Sequence, residues 1–266
     1  MDMLRNRFGA LMAAVMVFAI WAAPSYGGNQ LVRESGKDPV VLVHGYAGSV
    51  LGQLSVEGYW IYYTTRFAID GYDAYKIALP DGALADVRES AARLKDFVDN
   101  VRARTGRNKV DIVCHSEGGL VARYYIQNLG GAQYVDDLVT ISTPHRGTTV
   151  AHIGPGKASR QMEVYNDFLN ELNRTNTFPG DVDYTAIHSN HDEIVFPTPN
   201  GFWEGAVNIN VNLLWHTIST LAAPVSDKTL LMNALSSAAL LVTSCKPASL
   251  NVMRCTLNPS RLSFST

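Results

Sequence analysis

The stretch VDIVCHSEGGL, residues 110–120, decides the fold of this chain of 266 residues. Its first half is a mostly apolar, β-branched run that predicts a buried strand, and its second half opens a segment that predicts a helix. Ser116 lies at the sharp turn between them, where a strained backbone holds a serine hydroxyl above the carboxyl edge of a sheet. The positions two before and two after it must be small because strand and helix nearly touch, and here they are Cys114 and Gly118. The pattern makes Ser116 a candidate nucleophile, and a buried or helix-capping serine is the alternative.

Strands and helices alternate on both sides of this stretch. Strands are predicted at 39–43, 75–79, 110–114, 135–141, 184–188 and 206–211, and helices at 86–104, 118–129, 157–174 and 229–241. Such alternation predicts an α/β fold with parallel strands, right-handed crossovers and helices on both faces of the sheet. No repeat, linker or charge run divides the chain, so a single domain is expected over residues 28–266.

The composition is that of a folded globular protein. Hydrophobic residues make up 47% of the chain, which excludes a disordered protein. The chain has 22 basic and 24 acidic residues and a net charge of −2. Without a basic excess to neutralise a phosphate backbone, nucleic acid is not an expected partner.

The first thirty residues have the order of a secretory signal peptide. Arg5 and Arg7 precede an apolar run over residues 8–23, and small or turn-forming residues follow. The run is shorter than the roughly 20 residues that span a bilayer, and an uncleaved anchor is the alternative. We expect residues 1–27 to be a cleaved signal peptide and the protein to be secreted.

Export changes the interpretation of the cysteines. Cys245 and Cys255 lie in a Ser/Pro/Asn-rich stretch near the C-terminus. An oxidising compartment favours a disulfide between them, and two unpaired thiols are the alternative. Cys114 lies inside an apolar run and is expected to be a small buried residue.

A serine nucleophile needs a general base, usually a histidine that a carboxylate orients. In this architecture the chain order is serine, acid, histidine. His216 is the histidine that follows the last predicted strand, so its loop could fold back to Ser116. Asp192 follows the preceding strand, beside the competing Glu193, and its shorter side chain suits a tight loop.

Stabilising the negative oxygen of the reaction intermediate requires an oxyanion hole. One donor is expected to be the backbone N–H of Glu117, directly after the nucleophile. The other should come from the loop after the first strand, HGYAGS at residues 44–49, where the backbone N–H of Tyr46 is the candidate. A simple glycine-rich turn is the alternative for this loop.

A metal site is a weaker interpretation of the histidines. His188 and His191 form a His-x-x-His pattern beside Asp192, and His145 and His152 lie upstream. Two loop histidines without a Cys pair or a His-Glu-x-x-His motif are weak evidence for zinc. We expect no catalytic metal and no cofactor, while a structural calcium ion stays open.

These motifs together resemble a known family. They are His44-Gly45-Tyr46, CHSEGG at 114–119, STPHRGT at 142–148, Asp192 with Ile194-Val195, and His216. They are similar to the class 2 lipases, which are secreted bacterial triacylglycerol lipases and esterases of the α/β-hydrolase fold, and the resemblance spans about residues 39–220. It implies Ser116 as nucleophile, Asp192 and His216 as its partners, and Tyr46 and Glu117 as oxyanion donors.

The resemblance implies a secreted serine carboxylic-ester hydrolase with a lipid or small-ester substrate and an acyl-enzyme intermediate. We also expect transient contact with a lipid interface and a monomeric state. An acyltransferase or thioesterase with the same triad, or a catalytically inactive binding protein of this fold, is the alternative. Two positions depart from the family pattern. Cys114 replaces the usual Gly or Ala, and Glu117 puts a carboxyl group beside the nucleophile, where Met, Gln or His is commoner.

Aromatic side chains are candidates for an acyl groove. Core or surface packing is the alternative for each of them: Trp60, Tyr62, Tyr63, Phe67, Phe202 and Trp203. The segment 49–72 is the candidate for a mobile cover over the site.

Overall fold

Six strands form one sheet in which every neighbouring pair is parallel. The strands are β1 (Val40–Val43), β2 (Ala74–Ile77), β3 (Val110–His115), β4 (Val135–Ile141), β5 (Asp183–His188) and β6 (Val207–Asn210). Their order across the sheet is β2-β1-β3-β4-β5-β6. The computed structural model describes residues 37–48, 53–174 and 177–210, together with two short strands at 245–247 and 253–255.

Helices connect the strands. The described α-helices are α1 (Gln53–Ile69), α2 (Val87–Thr105), α3 (Glu117–Asn128), α4 (Gly156–Gln161) and α5 (Asp167–Arg174). Short 3₁₀ turns occur at Pro80–Gly82, Gly131–Gln133, Thr149–Ile153 and Thr198–Gly201. Because every neighbouring pair of strands is parallel, all the carboxyl ends of the strands lie at one edge of the sheet.

Burial of the central strands explains the parallel sheet. Every residue of β1 and β3 is buried. Since successive side chains of a strand point to opposite faces, both faces of the sheet are covered there. All six predicted strands are present, within two residues of their predicted bounds. The predicted α/β fold is confirmed.

Helix α2 shows how local sequence sets the ends of an element. The Asp86 side chain accepts a hydrogen bond from the Arg88 N–H at 2.9 Å and caps the first turn. Gly106 follows the last turn at a φ of 69°, a conformation that glycine adopts without steric cost. The buried stripe is the one that the helical spacing predicts: Val87, Ala91, Leu94, Val98 and Val101.

The single helix predicted over residues 157–174 is wrong. Two helices, α4 and α5, occupy this range, and Tyr165 lies between them at a φ of 66°. The Met162 carbonyl accepts the Thr148 N–H at 2.7 Å, which ties the end of α4 to another part of the chain. The Asn166 side chain then accepts the Phe168 N–H at 2.9 Å and caps a new helix. A tertiary contact and a new cap therefore interrupt a segment that is amphipathic throughout.

Helix α1 lies in the segment 49–72, for which the sequence predicts a mobile cover and no helix. It is rich in aromatic and β-branched residues, which have modest helix propensity. Apolar residues also lie on several sides of it: Trp60 is buried, whereas Ile61 and Ile69 are exposed. The periodic stripe that reveals α2 is therefore missing here, and the role of this segment as a cover stays a prediction.

The chain divides into two compact units, Met1–Ala222 and Ala223–Thr266. The described backbone of the second unit is an antiparallel pair, β7 (Cys245–Pro247) and β8 (Met253–Cys255), in which Cys245 pairs with Cys255 in register. Their side chains, the predicted signal peptide at 1–27 and the predicted helix at 229–241 lie outside the described residues. The single-domain interpretation of 28–266 therefore stays a prediction. None of the described helices has the length and apolar character to cross a membrane.

Carboxylates gather at the amino edge of the sheet, opposite the edge that carries Ser116. A register shift between β3 and β4 sets Asp136 and Asp137 against Asp111, and side-chain oxygens of the three lie within 4.8 Å of one another. Burial, followed by the charge of Asp137, raises the pKa of Asp111. Burial, followed by the charges of Asp183 and Asp136, raises the pKa of Asp137. The folded protein therefore holds protons here that the unfolded chain releases.

The free energy of unfolding should fall as the pH rises from about 4, where aspartates of an unfolded chain ionise, toward the raised pKa values of this pair. Asp111→Asn removes one ionisable group and keeps its shape. It should flatten this fall and raise the free energy of unfolding at pH 9 by about 1–3 kcal/mol. Urea unfolding between pH 5 and 9 measures the change. The exposed variant Asp96→Asn should keep the wild-type dependence, and an Asp111→Asn curve parallel to wild type would contradict the assignment.

Candidate active site

Ser116 holds a backbone conformation that L-residues rarely adopt. Its φ is 53° and its ψ −125° at the junction of β3 and α3, which costs on the order of 1–3 kcal/mol. Its N–H donates to the Ile141 carbonyl at 2.8 Å. Its carbonyl accepts the Thr143 hydroxyl at 2.8 Å and the Gly119 N–H at 3.1 Å. Strand, strained serine and helix follow one another as in a turn that presents a serine hydroxyl at the edge of a sheet.

Two glycines let the start of α3 pack closely. A Cβ on Gly118 would lie 2.6 Å from the carbonyl oxygens of Val43 and His44, and a Cβ on Gly119 would lie 2.1 Å from the Thr143 Oγ1. Residue 118 must therefore be small because the end of β1 packs against it, in addition to the close approach of β3 and α3. Neither site accommodates a side chain without moving backbone or a buried threonine.

The two predicted sources of oxyanion donors meet at Ser116. A Cβ on Gly45 would lie 2.7 Å from the Ser116 Cβ and 3.4 Å from its Oγ, so the loop after β1 passes directly against the serine. Tyr46 is the next residue of that loop. Glu117 is the first residue of α3, and its N–H has no acceptor within the helix. The loop and the helix start therefore lie on either side of the serine.

His44 holds the loop after β1. It is fully buried; its Nδ1–H donates to the Gly45 carbonyl at 2.8 Å, and its Nε2 accepts the Leu79 N–H at 3.1 Å. Burial lowers the pKa of His44, so its imidazole is neutral and can accept at one nitrogen while it donates at the other. The Gly48 N–H donates to the Gly45 carbonyl at 3.0 Å and closes the turn. The position of Tyr46 is therefore set from both sides.

Asp192 lies in the loop after β5, at the same edge of the sheet. It is 4% exposed, and its Oδ1 accepts the N–H groups of Ile194 at 2.9 Å and Val195 at 2.8 Å. These bonds fix the carboxyl group in a tight turn, as its short side chain allows. Glu193, the competing acid, is exposed. The local geometry therefore favours Asp192 for an ordered role.

The segment 142–148 connects the serine turn to the acid loop. At one end, the Thr143 hydroxyl donates to the Ser116 carbonyl. At the other end, the Thr148 hydroxyl donates to the Ile194 carbonyl and accepts the Phe196 N–H at 3.1 Å. The sequence contributes this motif only to the family resemblance and does not predict that Thr143 and Thr148 hold the serine turn and the acid loop. Its threonines at both ends were the signal for side-chain contacts to backbone.

His216 lies outside the described residues. The last residue of β6 is Asn210, so the candidate base follows this strand by six positions. The structure thus brings together Ser116, the loop of Tyr46 and the start of α3, and it places Asp192 at the same edge. The assignment of His216 stays a prediction.

The Glu117 side chain is buried, and its burial favours the uncharged form of the carboxyl group. It is 0% exposed, and neither carboxyl oxygen has a hydrogen-bond partner in the described part of the chain. Burial raises the pKa of Glu117 well above its ordinary value. An uncharged acid at this position would not repel a negative oxygen formed at Ser116.

The histidines proposed as metal ligands have other roles or do not converge. The fully buried Arg123 donates through Nη1 to the His145 Nδ1 at 3.2 Å, and the His145 Nε2 contacts the Thr140 hydroxyl at 3.1 Å. The His145 ring also stacks on Trp203 at 4.6 Å. In the described residues, only Asp111, Asp136 and Asp137 form a group of three potential metal ligands, at the opposite edge of the sheet. The His-x-x-His pattern gains no support.

Most of the candidate groove residues pack inside the protein. Trp203 is 3% exposed and stacks on Phe178 as well as on His145. Trp60, Tyr63 and Phe67 are buried as well, whereas Phe202 is partly exposed. The packing alternative therefore holds for Trp203, and the side chain of Tyr62 lies outside the described residues.

Comparison with known proteins identifies the family. The family model "Lipase (class 2)" matches residues 37–206. The chain belongs to the class 2 lipase family. It is 36% identical over 115 residues to a triacylglycerol lipase of Pseudarthrobacter phenanthrenivorans, and this match covers 42% of this chain and 35% of that protein. A triacylglycerol lipase of Burkholderia plantarii is also 36% identical over 115 residues, covering 42% of this chain and 31% of that protein. The chain thus matches about a third of the length of these relatives.

Solved structures share the fold. Bacillus licheniformis lipase BlEst2 in its mature form has a TM-score of 0.59 at 19% identity, over 73% of this chain and 91% of that one. Aspergillus fumigatus lipase B has a TM-score of 0.60 at 19% identity, over 75% of this chain and 52% of that one. The α/β-hydrolase fold of this class 2 lipase is thereby established. Ser116, Tyr46 and Asp192 lie inside the range matched by the family model, and His216 lies after it.

The raised pKa of Glu117 has a consequence for the pH profile of ester hydrolysis. Deprotonation at alkaline pH would place a negative charge on the residue whose N–H is a proposed oxyanion donor, so the wild-type kcat should decline there. Burial raises the pKa of the Tyr46 and Tyr59 phenol groups, and both lie close enough for this charge to raise that pKa further. Glu117→Gln should keep kcat within about threefold at pH 7 and should lose less of it by pH 10.

The exposed variant Glu89→Gln is the matched control and should follow the wild-type profile. The pH dependence of kcat, measured with a soluble ester, provides the test. A Glu117→Gln profile that superimposes on wild type at alkaline pH would remove Glu117 from the account.

Proposed function

We propose that this class 2 lipase is a secreted serine carboxylic-ester hydrolase that acts on lipid or small esters through Ser116, His216 and Asp192. One observation carries the proposal: the strained backbone of Ser116, against which the loop of Tyr46 passes in direct contact. Strain of about 1–3 kcal/mol persists where the surrounding structure holds it, and such residues cluster at active sites.

The proposed reaction has two steps. The Ser116 Oγ attacks the ester carbonyl carbon while its proton passes to the His216 imidazole, and the carbonyl oxygen becomes an oxyanion. The backbone N–H groups of Tyr46 and Glu117 stabilise that oxygen. Collapse breaks the ester bond, and the alcohol leaves with the proton from His216. Water then attacks the acyl-enzyme by the same route and releases the carboxylic acid.

The substrate class rests on the family and on the names of the relatives. Both bacterial relatives described above are triacylglycerol lipases, which supports lipid or small esters as substrates. Two exposed apolar side chains, Ile153 and Phe196, lie on segments joined by a hydrogen bond between the Thr149 N–H and the Phe196 carbonyl. They support transient contact with a lipid interface. We propose that the enzyme acts as a monomer.

Export and the disulfide belong to this proposal. The order of residues in 1–27 supports a cleaved signal peptide. The register that pairs Cys245 with Cys255 places the two α-carbons opposite each other on neighbouring strands, which supports a covalent link in an oxidising compartment. No other pair of cysteines is available for it, because Cys114 is a buried free thiol.

A fluorophosphonate probe and p-nitrophenyl esters from C2 to C16 test the serine mechanism. Wild type should be labelled and should hydrolyse the esters, and Ser116→Ala should lose both properties because the nucleophile is gone. Labelling without hydrolysis, but with acyl transfer to an added alcohol or with thioester cleavage, would favour the acyltransferase or thioesterase alternative. No labelling of the folded wild type would overturn the proposal and favour a binding protein.

Asp192→Asn separates the two candidate acids. Asparagine keeps an oxygen to accept the N–H groups of Ile194 and Val195, so the loop should stay folded while the negative charge is lost. The kcat should fall by about 10⁴, as expected when the partner of a catalytic histidine loses its charge. Glu193→Gln is the matched control and should stay within about twofold of wild type in kcat. The reverse ranking in steady-state kinetics would assign the acid to Glu193.

A further inference from the structure

Tyr59 lies in helix α1 and places one hydroxyl between two parts of the candidate site. The Gly45 N–H donates to the Tyr59 oxygen at 3.3 Å. The same hydroxyl contacts the Nδ1 of His115, the residue that precedes Ser116. A single oxygen therefore joins the loop of Tyr46 to the strand end that carries the nucleophile.

The contact with Gly45 has a defined direction. The backbone N–H of Gly45 can only donate, so the Tyr59 oxygen accepts there, and its own proton is available for the His115 Nδ1. The Tyr59 ring is fixed by its neighbours, with ring centroids 6.2 Å from His44, 5.1 Å from Trp60 and 5.6 Å from His115. Burial raises the pKa of Tyr59, which keeps the hydroxyl protonated. The phenol is therefore a stable donor and acceptor at a fixed place.

The geometry of an oxyanion hole explains why this connection matters. Its two N–H donors belong to different elements, the loop after β1 and the first turn of α3, and they must point at one oxygen atom. A displacement of about 1 Å between reacting groups can cost on the order of 100-fold in rate. The Tyr59 hydroxyl bonds to the residue before Tyr46 on one side and to the residue before Ser116 on the other. It is thus placed to set the distance between the two halves.

We propose that Tyr59 is a positioning residue for the oxyanion hole, acting through its hydroxyl on Gly45 and His115. The inference rests on the proposed ester hydrolysis at Ser116 and deepens it, because it gives helix α1 a role in catalysis. In this role Tyr59 acts through Gly45 and His115 and not by contact with the substrate. Its effect should appear in the stabilisation of the transition state more than in substrate binding.

Tyr63 provides a matched control on the same helix. It lies one turn after Tyr59, is buried, and packs its ring edge-on against Trp60 at 4.9 Å. Within the described part of the chain its hydroxyl makes no hydrogen bond. Tyr63→Phe removes the same atom from the same environment without breaking a connection to the site.

Steady-state hydrolysis of a soluble p-nitrophenyl ester, below the thermal midpoint of every variant, tests the proposal. Tyr59→Phe should lower kcat by about 10- to 100-fold and leave KM within about twofold, while Tyr63→Phe should stay within about twofold on both. An alkylboronic acid adds a second measurement, because its tetrahedral adduct with serine places a negative oxygen in the oxyanion hole. Its inhibition constant should rise for Tyr59→Phe in proportion to the loss in kcat/KM.

The outcomes separate this inference from the proposed function. An active wild type with an unchanged Tyr59→Phe, or with a slowed Tyr59→Phe whose boronic acid inhibition is unchanged, overturns the role of Tyr59 alone. A folded wild type without ester hydrolysis overturns the proposed function and this inference together. Should Tyr59→Phe not fold, His115→Gln removes the other partner of the hydroxyl and carries the same expectation for kcat and for the boronic acid.

Discussion

The close approach of three backbone segments around Ser116 is the constraint on which the rest of the site depends. The end of β1, the turn at Ser116 and the start of α3 lie so near one another that a Cβ on Gly45 or Gly118 would lie within 2.7 Å of its nearest neighbour. Only glycine fits such distances. The parallel sheet makes the approach possible, because β1 and β3 are neighbours and their carboxyl ends lie at the same edge. The site therefore depends on the order of the strands in the sheet as well as on the sequence motif around Ser116.

A strained residue needs its neighbours to hold it, and the loops around Ser116 do so through side chains that bond to backbone. Thr143 holds the carbonyl of Ser116, and His44 holds the loop of Tyr46. Thr148 holds the loop that contains Asp192. Each of these contacts adds a side-chain hydrogen bond to a backbone group in a turn. Thr143, His44 and Thr148 therefore position the proposed catalytic groups without being catalytic themselves. Their loss would displace those groups.

The sequence predicts the strands and the serine turn because these depend on local patterns. Short stretches with apolar and β-branched residues mark the six strands, and the small residues around Ser116 mark the turn. It does not predict helix α1, because aromatic residues on several sides conceal the helical period, nor the break between α4 and α5, where the Met162 carbonyl bonds to the Thr148 N–H. Both depend on contacts between segments that are distant along the chain. Tyr59 went unassigned for the same reason, since its two partners lie 14 and 56 positions away.

Burial shifts the pKa values of ionisable groups at both edges of the sheet, with different consequences at each edge. At the carboxyl edge, burial lowers the pKa of His44 and raises the pKa of Glu117, and both shifts favour the uncharged form of the side chain. The backbone N–H dipoles proposed to stabilise an oxyanion act most strongly in such surroundings. At the amino edge, the same burial acts on Asp111 and Asp137, where no proposed chemistry benefits. At alkaline pH the buried Asp111 and Asp137 lower the free energy of unfolding. Burial of the apolar core on both faces of the sheet must offset this loss.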